Sequence, residues 1–405
     1  MLIQFNFKNF KSFKNETSLD MTATSIKEHE YNLIYDEKGN KFLKIASIYG
    51  ANAAGKSNIL EAFSFMRYWV LSSFKKSYRE ETIPLKRYAF DDNFKNSKSE
   101  FEVFVKIDKV EYQYGFSIDN RIIYEEWLYK KEQKANSRFK TVFKRANKEI
   151  KTSKNLKKIS KLAKESITDS TLFLSFLGNT KLEDPIKVFK WFEQTGVINF
   201  SNPLNELIYR YDPILQSRYK DREYISKLVS FLKSFDIDIE DIIIEQKELN
   251  GNKTFVLVSK HKNSKGNLVK LNFNEESDGT KKMLLLYNIF YDILTTGRTI
   301  FIDELDSKLH PILIRKIISI FHDEKTNINN AQLIFTTHNP IILTKEIFRR
   351  DEIWFVEKEN KESILYSLVE FKSNGKKVRN DASYYKDYLK GKYGAIPIVK
   401  EFSFR

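Results

Sequence analysis

The chain has 405 residues, 41% hydrophobic and 14% aromatic, so it can bury a large core, and a disordered protein is excluded. It has no cysteine, which excludes disulfides, cysteine-ligated zinc and thiol catalysis. Its formal net charge is +15, and it lacks a signal-peptide pattern or a long apolar run, so we expect a cytoplasmic protein with no membrane segment.

The first segment, residues 1–75, is predicted to form the N-terminal half of a nucleotide-binding lobe. Strands are expected at residues 2–7 and 17–21, and the mostly apolar run 45–49 is expected to form a third strand. A helix should follow and end near Phe74, because its apolar residues recur at helical spacing.

A glycine-rich motif separates this third strand from the helix. Its residues fit the pattern G-x-x-x-x-G-K-[ST] without a mismatch: Gly50, Ala51, Asn52, Ala53, Ala54, Gly55, Lys56 and Ser57. Such a loop points backbone N–H groups inward around phosphates, and the helix N-terminus favours negative charge there. Lys56 is expected to reach the β- and γ-phosphates, Ser57 to bind Mg²⁺, and Asn58 to belong to the same nucleotide site.

The second segment, residues 76–250, is predicted to be an insertion between the two halves of the nucleotide fold. Strands are expected near 100–145, where apolar and polar residues alternate, followed by helices near 156–235 with breaks near Pro203 and Pro213. The insertion is long because the next nucleotide-site motif comes 247 residues after Lys56.

A basic cluster lies inside this insertion, between Lys130 and Lys164. It contains fourteen Lys or Arg and two acids, Glu132 and Glu149, for a local charge of +12. Clustered cations bind the phosphate backbone of nucleic acids by counterion release, which predicts a nucleic-acid contact here. The alternative is a compositional bias, since the whole chain is rich in Lys and since Lys greatly outnumbers Arg.

The third segment, residues 251–371, is predicted to complete the lobe, and residues 372–405 are predicted to form a basic aromatic tail. Two apolar strands of the type buried in parallel sheets are expected, at 299–304 and 332–338, with a helix between them. Alternation of strand and helix with polar residues at strand ends predicts a doubly wound α/β arrangement.

The polar residues at these strand ends suit nucleotide hydrolysis. Asp303 is predicted to hold Mg²⁺ and Glu304 to polarise the attacking water as general base. His338 could hydrogen-bond the γ-phosphate, although a lone His at a strand end is more often an ordinary polar terminus. Ser277 and Gly279 precede a helix and, taken alone, would be an N-cap and its neighbour.

The order of these motifs resembles the ABC-type ATPase head. The sequences Asn9-Phe-Lys-Ser-Phe and Gly55-Lys-Ser-Asn-Ile-Leu-Glu-Ala resemble its SMC and RecF branch rather than the transporter branch. The sequence Asp303-Glu-Leu-Asp-Ser-Lys-Leu-His-Pro resembles the overcoming-lysogenization-defect (OLD) ATPases and the RloA-like and AbiL-like ATPases of abortive infection, and Tyr388-Leu-Lys-Gly-Lys-Tyr-Gly-Ala-Ile-Pro resembles the tail of that group. The resemblance implies an SMC/RecF-like P-loop ABC-ATPase head with an N-terminal antiparallel β layer and a mixed β and helical insertion.

The resemblance also implies a head that closes on ATP and Mg²⁺ as a homodimer or higher oligomer. Ser277 and Gly279 would reach the γ-phosphate bound by the opposite subunit, and Asp306 would be an intersubunit contact. The signature Ser-Asp-Gly-Thr is degenerate, a Mg²⁺-binding glutamine is not evident, and Lys11 stands where relatives often have Arg. Slow or partner-dependent turnover is therefore expected.

The leading functional prediction is the ATPase subunit of an anti-phage defence system. Its effector would be a separate chain, for which the resemblance implies a Toprim-like nuclease, because the 67 residues after His338 lack a run of acidic metal ligands. One alternative is a compact RecF- or SMC-like ATPase of DNA repair or clamping. A transporter ATPase is a third reading, which the opening strand and the insertion do not favour.

Overall fold

A computed structural model of the chain describes residues 1–76, 82–134, 136–200, 217–249, 252–373 and 375–397. The predicted helix breaks near Pro203 and Pro213 lie outside these ranges.

Twenty strands lie within the described residues. In chain order they are β1 (Leu2–Lys8), β2 (Thr17–Asp20), β3 (Leu33–Tyr35), β4 (Lys41–Leu43), β5 (Ile45–Gly50), β6 (Ser99–Ile107), β7 (Val110–Ile118), β8 (Ile123–Glu132), β9 (Lys140–Ala146), β10 (Glu149–Thr152), β11 (Gly196–Asn199), β12 (Asp241–Leu249), β13 (Asn252–Lys262), β14 (Leu268–Asn272), β15 (Thr299–Asp303), β16 (Gln332–Thr336), β17 (Ile353–Glu359), β18 (Glu362–Ser367), β19 (Lys372–Ser373) and β20 (Lys376–Lys377).

The same ranges contain nine α-helices. They are α1 (Lys56–Ser72), α2 (Asp92–Lys95), α3 (Lys157–Ser166), α4 (Phe173–Leu177), α5 (Glu183–Gln194), α6 (Arg222–Ser234), α7 (Asp278–Thr296), α8 (Pro311–His322) and α9 (Tyr384–Leu389). No helix of the described residues is long and apolar enough to cross a membrane.

A seven-stranded antiparallel sheet joins the N-terminus to the insertion, in the order β10-β9-β8-β7-β6-β1-β2. The alternation along β6 suits a sheet with one face in the core: Phe101, Val103 and Val105 are fully buried, whereas Glu102 and Phe104 between them are half-buried on the other face. The predicted antiparallel β layer is therefore confirmed, and it includes the strands of the insertion.

A six-stranded sheet carries the nucleotide motifs, in the order β11-β15-β16-β5-β17-β18. Neighbouring strands pair in parallel from β11 through β17, and β18 pairs antiparallel with β17 at the edge. Every residue of β5, β15 and β16 is buried, as expected for strands covered on both faces. The carboxyl ends of these strands meet at one edge, where the candidate site lies.

Helix α1 fills the space between the two sheets. Phe63 of α1 stacks on Phe301 of β15 with ring centres 4.2 Å apart and meets Phe5 of β1 edge-on at 5.3 Å. A second apolar core covers the opposite face of the parallel sheet, under α6, α7 and α8. The α/β P-loop ATPase head predicted from the motifs is confirmed by this topology.

Two parts of the parallel sheet differ from the predictions. Residues 196–199 were predicted to lie in a mostly helical region but form β11, which pairs with β15 from Gly196 to Asn199. The short run Gly-Val-Ile-Asn extends an existing buried strand, and this tertiary pairing outweighs local propensity. The β17–β18 hairpin was not predicted, although Ile353-Trp-Phe-Val is an apolar run of the same type as β15.

The described part of the predicted tail, residues 372–373 and 375–397, packs on the head. Tyr384, Tyr388 and Tyr393 are buried in the second core. Tyr388 stacks on Phe355 of β17 at 5.4 Å and lies edge-on to Tyr49 of β5 at 6.3 Å. These aromatic side chains therefore support the strand that leads into the glycine-rich loop. The segment boundaries at residues 75, 250 and 371 stay a prediction.

Candidate functional site

The glycine-rich loop has the strand-loop-helix setting that its motif requires. It connects the end of β5 at Gly50 to the start of α1 at Lys56. Gly55 caps the helix with a φ of 115°, a backbone conformation that residues with a side chain rarely adopt. A Cβ there would lie 2.5 Å from Ser363 Oγ. A Cβ on Gly50 would approach the Val356 carbonyl oxygen to 2.4 Å. Glycine is thus favoured at Gly55 by its positive φ and required at Gly50 by close backbone packing.

Lys56 is buried at the mouth of this loop, with 5% of its surface exposed. Its Nζ donates to the carbonyl oxygens of Gly50 at 2.8 Å and Ala51 at 3.1 Å, and it lies 3.3 Å from His338 Nδ1. Burial lowers the pKa of Lys56 to about 8, although the nearby carboxylates oppose that shift. Phosphate oxygens are stronger acceptors for an ammonium than carbonyls are, so this cation is suited to an anionic ligand.

Ser57 and Asp303 meet at the carboxyl end of β15, as predicted for a Mg²⁺ site. Asp303 is 3% exposed, and its carboxylate accepts hydrogen bonds from the hydroxyls of Thr336, at 2.5 Å, and Ser57. Burial raises the pKa of Asp303, and these hydrogen bonds oppose the rise. A hydroxyl and a carboxylate are oxygen ligands of the kind that Mg²⁺ takes beside nucleotide phosphates. The residues therefore fit the implied metal and nucleotide.

Glu304 begins a sharp turn directly after β15. Its φ is 53°, a left-handed conformation that is uncommon for a residue other than glycine, and its backbone N–H donates to Thr336 Oγ1 at 2.8 Å. One threonine hydroxyl thus contacts both the Asp303 carboxylate and the Glu304 backbone. Thr336 was missed by the sequence reasoning, although its place at the end of β16 was a usable signal.

His338 and Asp306 are brought together beside Lys56. His338 follows the end of β16 by two residues, so it lies beyond the strand end where it was predicted. Its backbone N–H donates to Asp306 Oδ2 at 3.1 Å, and Asp306 Oδ1 is buried with no hydrogen-bond partner among the described residues. The structure thus places Asp306, the predicted intersubunit residue, next to the predicted γ-phosphate contact.

Ser277 and Gly279 lie at the start of α7, against the turn that follows Glu304. Ser277 Oγ accepts a hydrogen bond from the Thr280 N–H at 3.1 Å, which is the ordinary N-cap arrangement. Asp278 pairs with Lys308 at 3.2 Å. A role for Ser277 and Gly279 toward a second subunit's nucleotide stays a prediction.

The remaining loop residues have mixed surroundings. Asn52 and Ala53 are exposed at the tip, whereas Ala54 is buried. Asn58 donates to Ser12 Oγ at 2.7 Å, and Ser12 Oγ lies 2.7 Å from Ser363 Oγ, which donates to the Ala54 carbonyl at 2.5 Å. Asn58 therefore ties α1 to the β1–β2 loop. The contact between Ser12 and Ser363 was missed: Ser12 lies in the Asn9-Phe-Lys-Ser-Phe motif, but nothing in the local sequence marks Ser363.

Lys11, which stands where relatives often have Arg, forms an ion pair with Glu61 of α1. Its φ is 51°, so the β1–β2 loop holds it in a left-handed conformation beside the helix.

The model of one protein family, described as "AAA domain, putative AbiEii toxin, Type IV TA system", matches residues 45–344. This range covers about three quarters of the chain and contains every predicted site residue. The chain belongs to this family. As an AAA-domain family member with a P-loop, it is a P-loop ATPase by fold, whereas a closer relation to the OLD, RloA-like or AbiL-like proteins stays a prediction.

Several solved structures are similar to this AAA-domain chain at low identity. The Smc head domain from Pyrococcus furiosus, with an extended coiled coil and bound to the C-terminal domain of ScpA, is 13% identical, with a TM-score of 0.39 over 90% of this chain and 96% of that one. The recombination mediator RecF of the RecFOR pathway is 13% identical, with a TM-score of 0.37 over 90% and 98%. The cbiO1 subunit of the Clostridium perfringens ABC transporter complex cbiONQ is 10% identical, with a TM-score of 0.30 over 97% and 92%.

These TM-scores are below 0.5, so the fold assignment depends on the strand topology and the family match. Among curated proteins, none matches the chain.

Proposed function

We propose that the protein binds and hydrolyses ATP, and that ATP-driven dimerisation of its head controls a nucleic-acid-directed effector in an anti-phage defence system. The observation that carries the ATPase proposal is the cluster of Lys56, Ser57, Asp303, Glu304 and Thr336 at one edge of the parallel sheet. These residues come from helix α1, the ends of strands β15 and β16, and the turn after β15, and they meet around the glycine-rich loop.

Each residue of the cluster has a role that its surroundings support. Backbone N–H groups of the loop and Lys56 would bind the phosphates, and Ser57 and Asp303 would hold Mg²⁺, which when bound neutralises charge on the transferred phosphoryl group. Glu304 would orient and deprotonate the attacking water, and His338, 3.3 Å from Lys56, would contact the γ-phosphate. Burial of Lys56 and Asp303 strengthens their electrostatic effect, because the local dielectric constant is low.

Hydrolysis provides the test of the ATPase proposal. Lys56→Ala should abolish ATP binding. Glu304→Gln should bind ATP but lose at least ~100-fold in turnover, because the general base is removed while the glycine-rich loop and Lys56 stay intact. Phosphate release and binding of a fluorescent ATP analogue measure the two effects. Wild-type turnover by Glu304→Gln would contradict the assignment of the base, and wild-type binding by Lys56→Ala would contradict the nucleotide site.

A composite site in a dimer is the second part of the proposal. Ser277 and Gly279 would contact the nucleotide of the opposite subunit, and Asp306 would lie at the interface. The resemblance of the motif order to ABC-type heads supports this arrangement, and Asp306 lies beside His338, the proposed γ-phosphate contact.

A basic surface on the β9–β10 hairpin and α3 supports a nucleic-acid contact. Four of the fourteen cations between Lys130 and Lys164 have structural partners: Lys130, Lys131 and Lys134 form ion pairs, and Arg145 is buried and donates to backbone carbonyls. The other ten are exposed and form no ion pair with a described residue: Arg138, Lys140, Lys144, Lys148, Lys151, Lys154, Lys157, Lys158, Lys161 and Lys164. We call these ten residues the basic face.

The defence role rests on the family description, which names a putative AbiEii toxin and a type IV toxin–antitoxin system. A compact RecF- or SMC-like repair or clamp ATPase is the alternative, which shares the site and the basic face. Phage plating on cells with and without the gene, compared with survival after DNA damage, separates the two. Protection from phage that needs Glu304 supports defence, whereas a growth or repair defect alone contradicts it.

The effector is proposed to be a separate protein, with a Toprim-like nuclease as the expected class. Purification of the Glu304→Gln variant at native expression, with ATP, tests this. Recovery of the variant without any associated protein would count against a separate effector.

A further inference from the structure

Lys282, in the second turn of α7, is a buried lysine that the proposed mechanism does not use. It follows Ser277 by five residues, and 3% of its surface is exposed. Burial of an ammonium is unfavourable unless its donors are satisfied. Lys282 Nζ donates to the carbonyl oxygens of Ser307 at 2.6 Å and Leu305 at 2.9 Å, with Glu304 O at 3.4 Å.

An aromatic ring completes the surroundings of this ammonium. Lys282 Nζ lies 4.1 Å from the centre of the Phe200 ring, within cation–π distance. Phe200 directly follows β11 and is 8% exposed. The side chain of Lys282 is therefore held between the ring and the backbone of the turn that follows β15.

The carbonyls that Lys282 contacts belong to the turn that carries Glu304 and Asp306. This turn contains two left-handed residues other than glycine, Glu304 with a φ of 53° and Lys308 with a φ of 59°. Such conformations persist only where surrounding contacts enforce them. Three hydrogen bonds from one ammonium to this turn are contacts of that kind, and they do not involve the side chain of Glu304.

The first turn of α7 contacts the same segment. Asp278 pairs with Lys308 at 3.2 Å and with Lys281 at 3.5 Å, and the backbone of Gly279 passes close to the Lys308 carbonyl. The helix that begins at Ser277 and the turn that begins at Glu304 are thus joined at the surface by Asp278 and in the interior by Lys282.

We propose that Lys282 is a positioning residue for hydrolysis: from the helix that begins at Ser277, it fixes the backbone of the turn that orients Glu304. This inference rests on the proposed function. In a composite dimer Ser277 would serve the opposite subunit's nucleotide and Glu304 its own, so Lys282 connects the two nucleotide sites within one chain. Within the nucleotide cluster its hydrogen bond goes to the backbone carbonyl of Glu304, the proposed base, so its loss should affect turnover and spare binding.

Lys282→Met tests the proposal, because methionine keeps an unbranched apolar side chain against Phe200 and removes the donors. We expect kcat to fall at least ~10-fold, with KM and the affinity for a fluorescent ATP analogue within about threefold of wild type, since misplacement of a catalytic group lowers the chemical step. Lys282→Arg should recover most of the rate, because guanidinium N–H groups can also donate to carbonyls. Lys316→Met, at an exposed lysine of α8, is the control and should keep the wild-type kcat.

The outcomes separate this inference from the proposed function. A wild-type protein that does not hydrolyse ATP would contradict the ATPase proposal, and a Glu304→Gln variant with wild-type turnover would contradict the assignment of the base. An inactive Glu304→Gln together with a Lys282→Met of wild-type kcat would overturn the role of Lys282 alone, as would a parallel loss of kcat and ATP affinity, which indicates a general structural defect. If Lys282→Met does not fold, Phe200→Leu is the second variant, because it removes the aromatic ring that contacts the Lys282 ammonium. A reduced kcat at constant KM supports the role of Lys282, and an unchanged kcat overturns it.

Discussion

Thr336 organises both acidic residues of the candidate hydrolytic site. Its single hydroxyl donates to Asp303 Oδ1 and accepts from the Glu304 backbone N–H, and this links the predicted metal ligand to the predicted base. A hydroxyl that has both a donor and an acceptor partner is held in one orientation. The two carboxylates are adjacent in sequence, but their different surroundings, one buried at the strand end and the other in a left-handed turn, suit them to different tasks.

The lowered pKa of Lys56 predicts a pH dependence of ATP binding. Its pKa is lowered to about 8 by burial, and bound phosphates favour the charged form, so ATP binding should raise that pKa. Below pH 8 the lysine is already protonated and the affinity should be constant. Above pH 8 binding must take up a proton, so the affinity should fall by up to ~10-fold per pH unit.

Isothermal titration with MgATP between pH 7 and 10 measures this dependence. Lys56→Arg is the control. Its guanidinium stays charged throughout this range, so the affinity of this variant for MgATP should not vary with pH through this side chain. An equally flat profile for the wild type would contradict the assignment of Lys56 as the phosphate-binding cation.

Site residues differ in how far the sequence could predict them. Lys56, Ser57 and Asp303 could be assigned because a local motif or a strand end marks each of them. Ser12 lies in the Asn9-Phe-Lys-Ser-Phe motif, but its contact with Ser363, 351 positions away, could not be predicted because Ser363 has no local signature. Lys282 looked like one more helical lysine, and its burial depends on the turn after β15 and on Phe200.

Among the secondary-structure elements, the positions of the strands were predicted better than the elements they pair with or pack against. The alternation in β6 and the apolar runs of β15 and β16 identify strands whose burial is decided by their own residues. The short strand β11 is formed because β15 offers an open edge, which its own four residues do not reveal. The tyrosines of α9 looked like a polar aromatic tail because their docking surface lies far away in sequence, on β5 and β17.

The docking of α9 predicts a large loss of stability for Tyr388→Ala. The ring stacks on Phe355, and its hydroxyl donates to the Ala395 carbonyl at 3.1 Å. Removal of a buried aromatic ring typically costs about 3–5 kcal/mol of unfolding free energy, and Tyr388→Phe should cost about 1 kcal/mol for the lost hydrogen bond.

Urea unfolding measures these differences. Leu389→Ala, at the adjacent and 54% exposed position, is the control and should change the free energy of unfolding by less than about 0.5 kcal/mol. Equal small effects for Tyr388→Ala and Leu389→Ala would show that the segment is a free tail after all.

At the scale of the whole molecule, charge is distributed unevenly. The chain has a net charge of +15, and the ten exposed residues of the basic face lie together on one hairpin and one helix of the insertion. The nucleotide cluster lies in the other lobe, at the edge of the parallel sheet. Helix α1 connects the two, since it begins in the glycine-rich loop and packs against both sheets.

Neutralising part of the basic face should weaken nucleic-acid binding in a salt-dependent way. We expect the combined change of Lys157, Lys158, Lys161 and Lys164 to Gln to weaken duplex DNA binding and to reduce the slope of log K against log salt by up to about 3–4, because each lost phosphate contact removes about 0.9. Fluorescence anisotropy at several salt concentrations measures the slope.

A charge-matched control separates the local surface from net charge. The combined change of Lys345, Lys376, Lys377 and Lys390 to Gln, all exposed and all in the C-terminal part of the chain, lowers the net charge equally. If both variants lose the same affinity, the basic face is not a specific contact surface.

Whether ATP closes two heads on each other can be read from the molar mass of the Glu304→Gln variant. We expect a monomer without nucleotide and a dimer of twice the 48.0 kDa chain mass with MgATP, in light scattering coupled to gel filtration. Ser277→Arg in the same background should bind ATP and stay monomeric, because the signature contact across the interface is blocked. A Glu304→Gln variant that is saturated with ATP and has the same mass as without it would contradict the account.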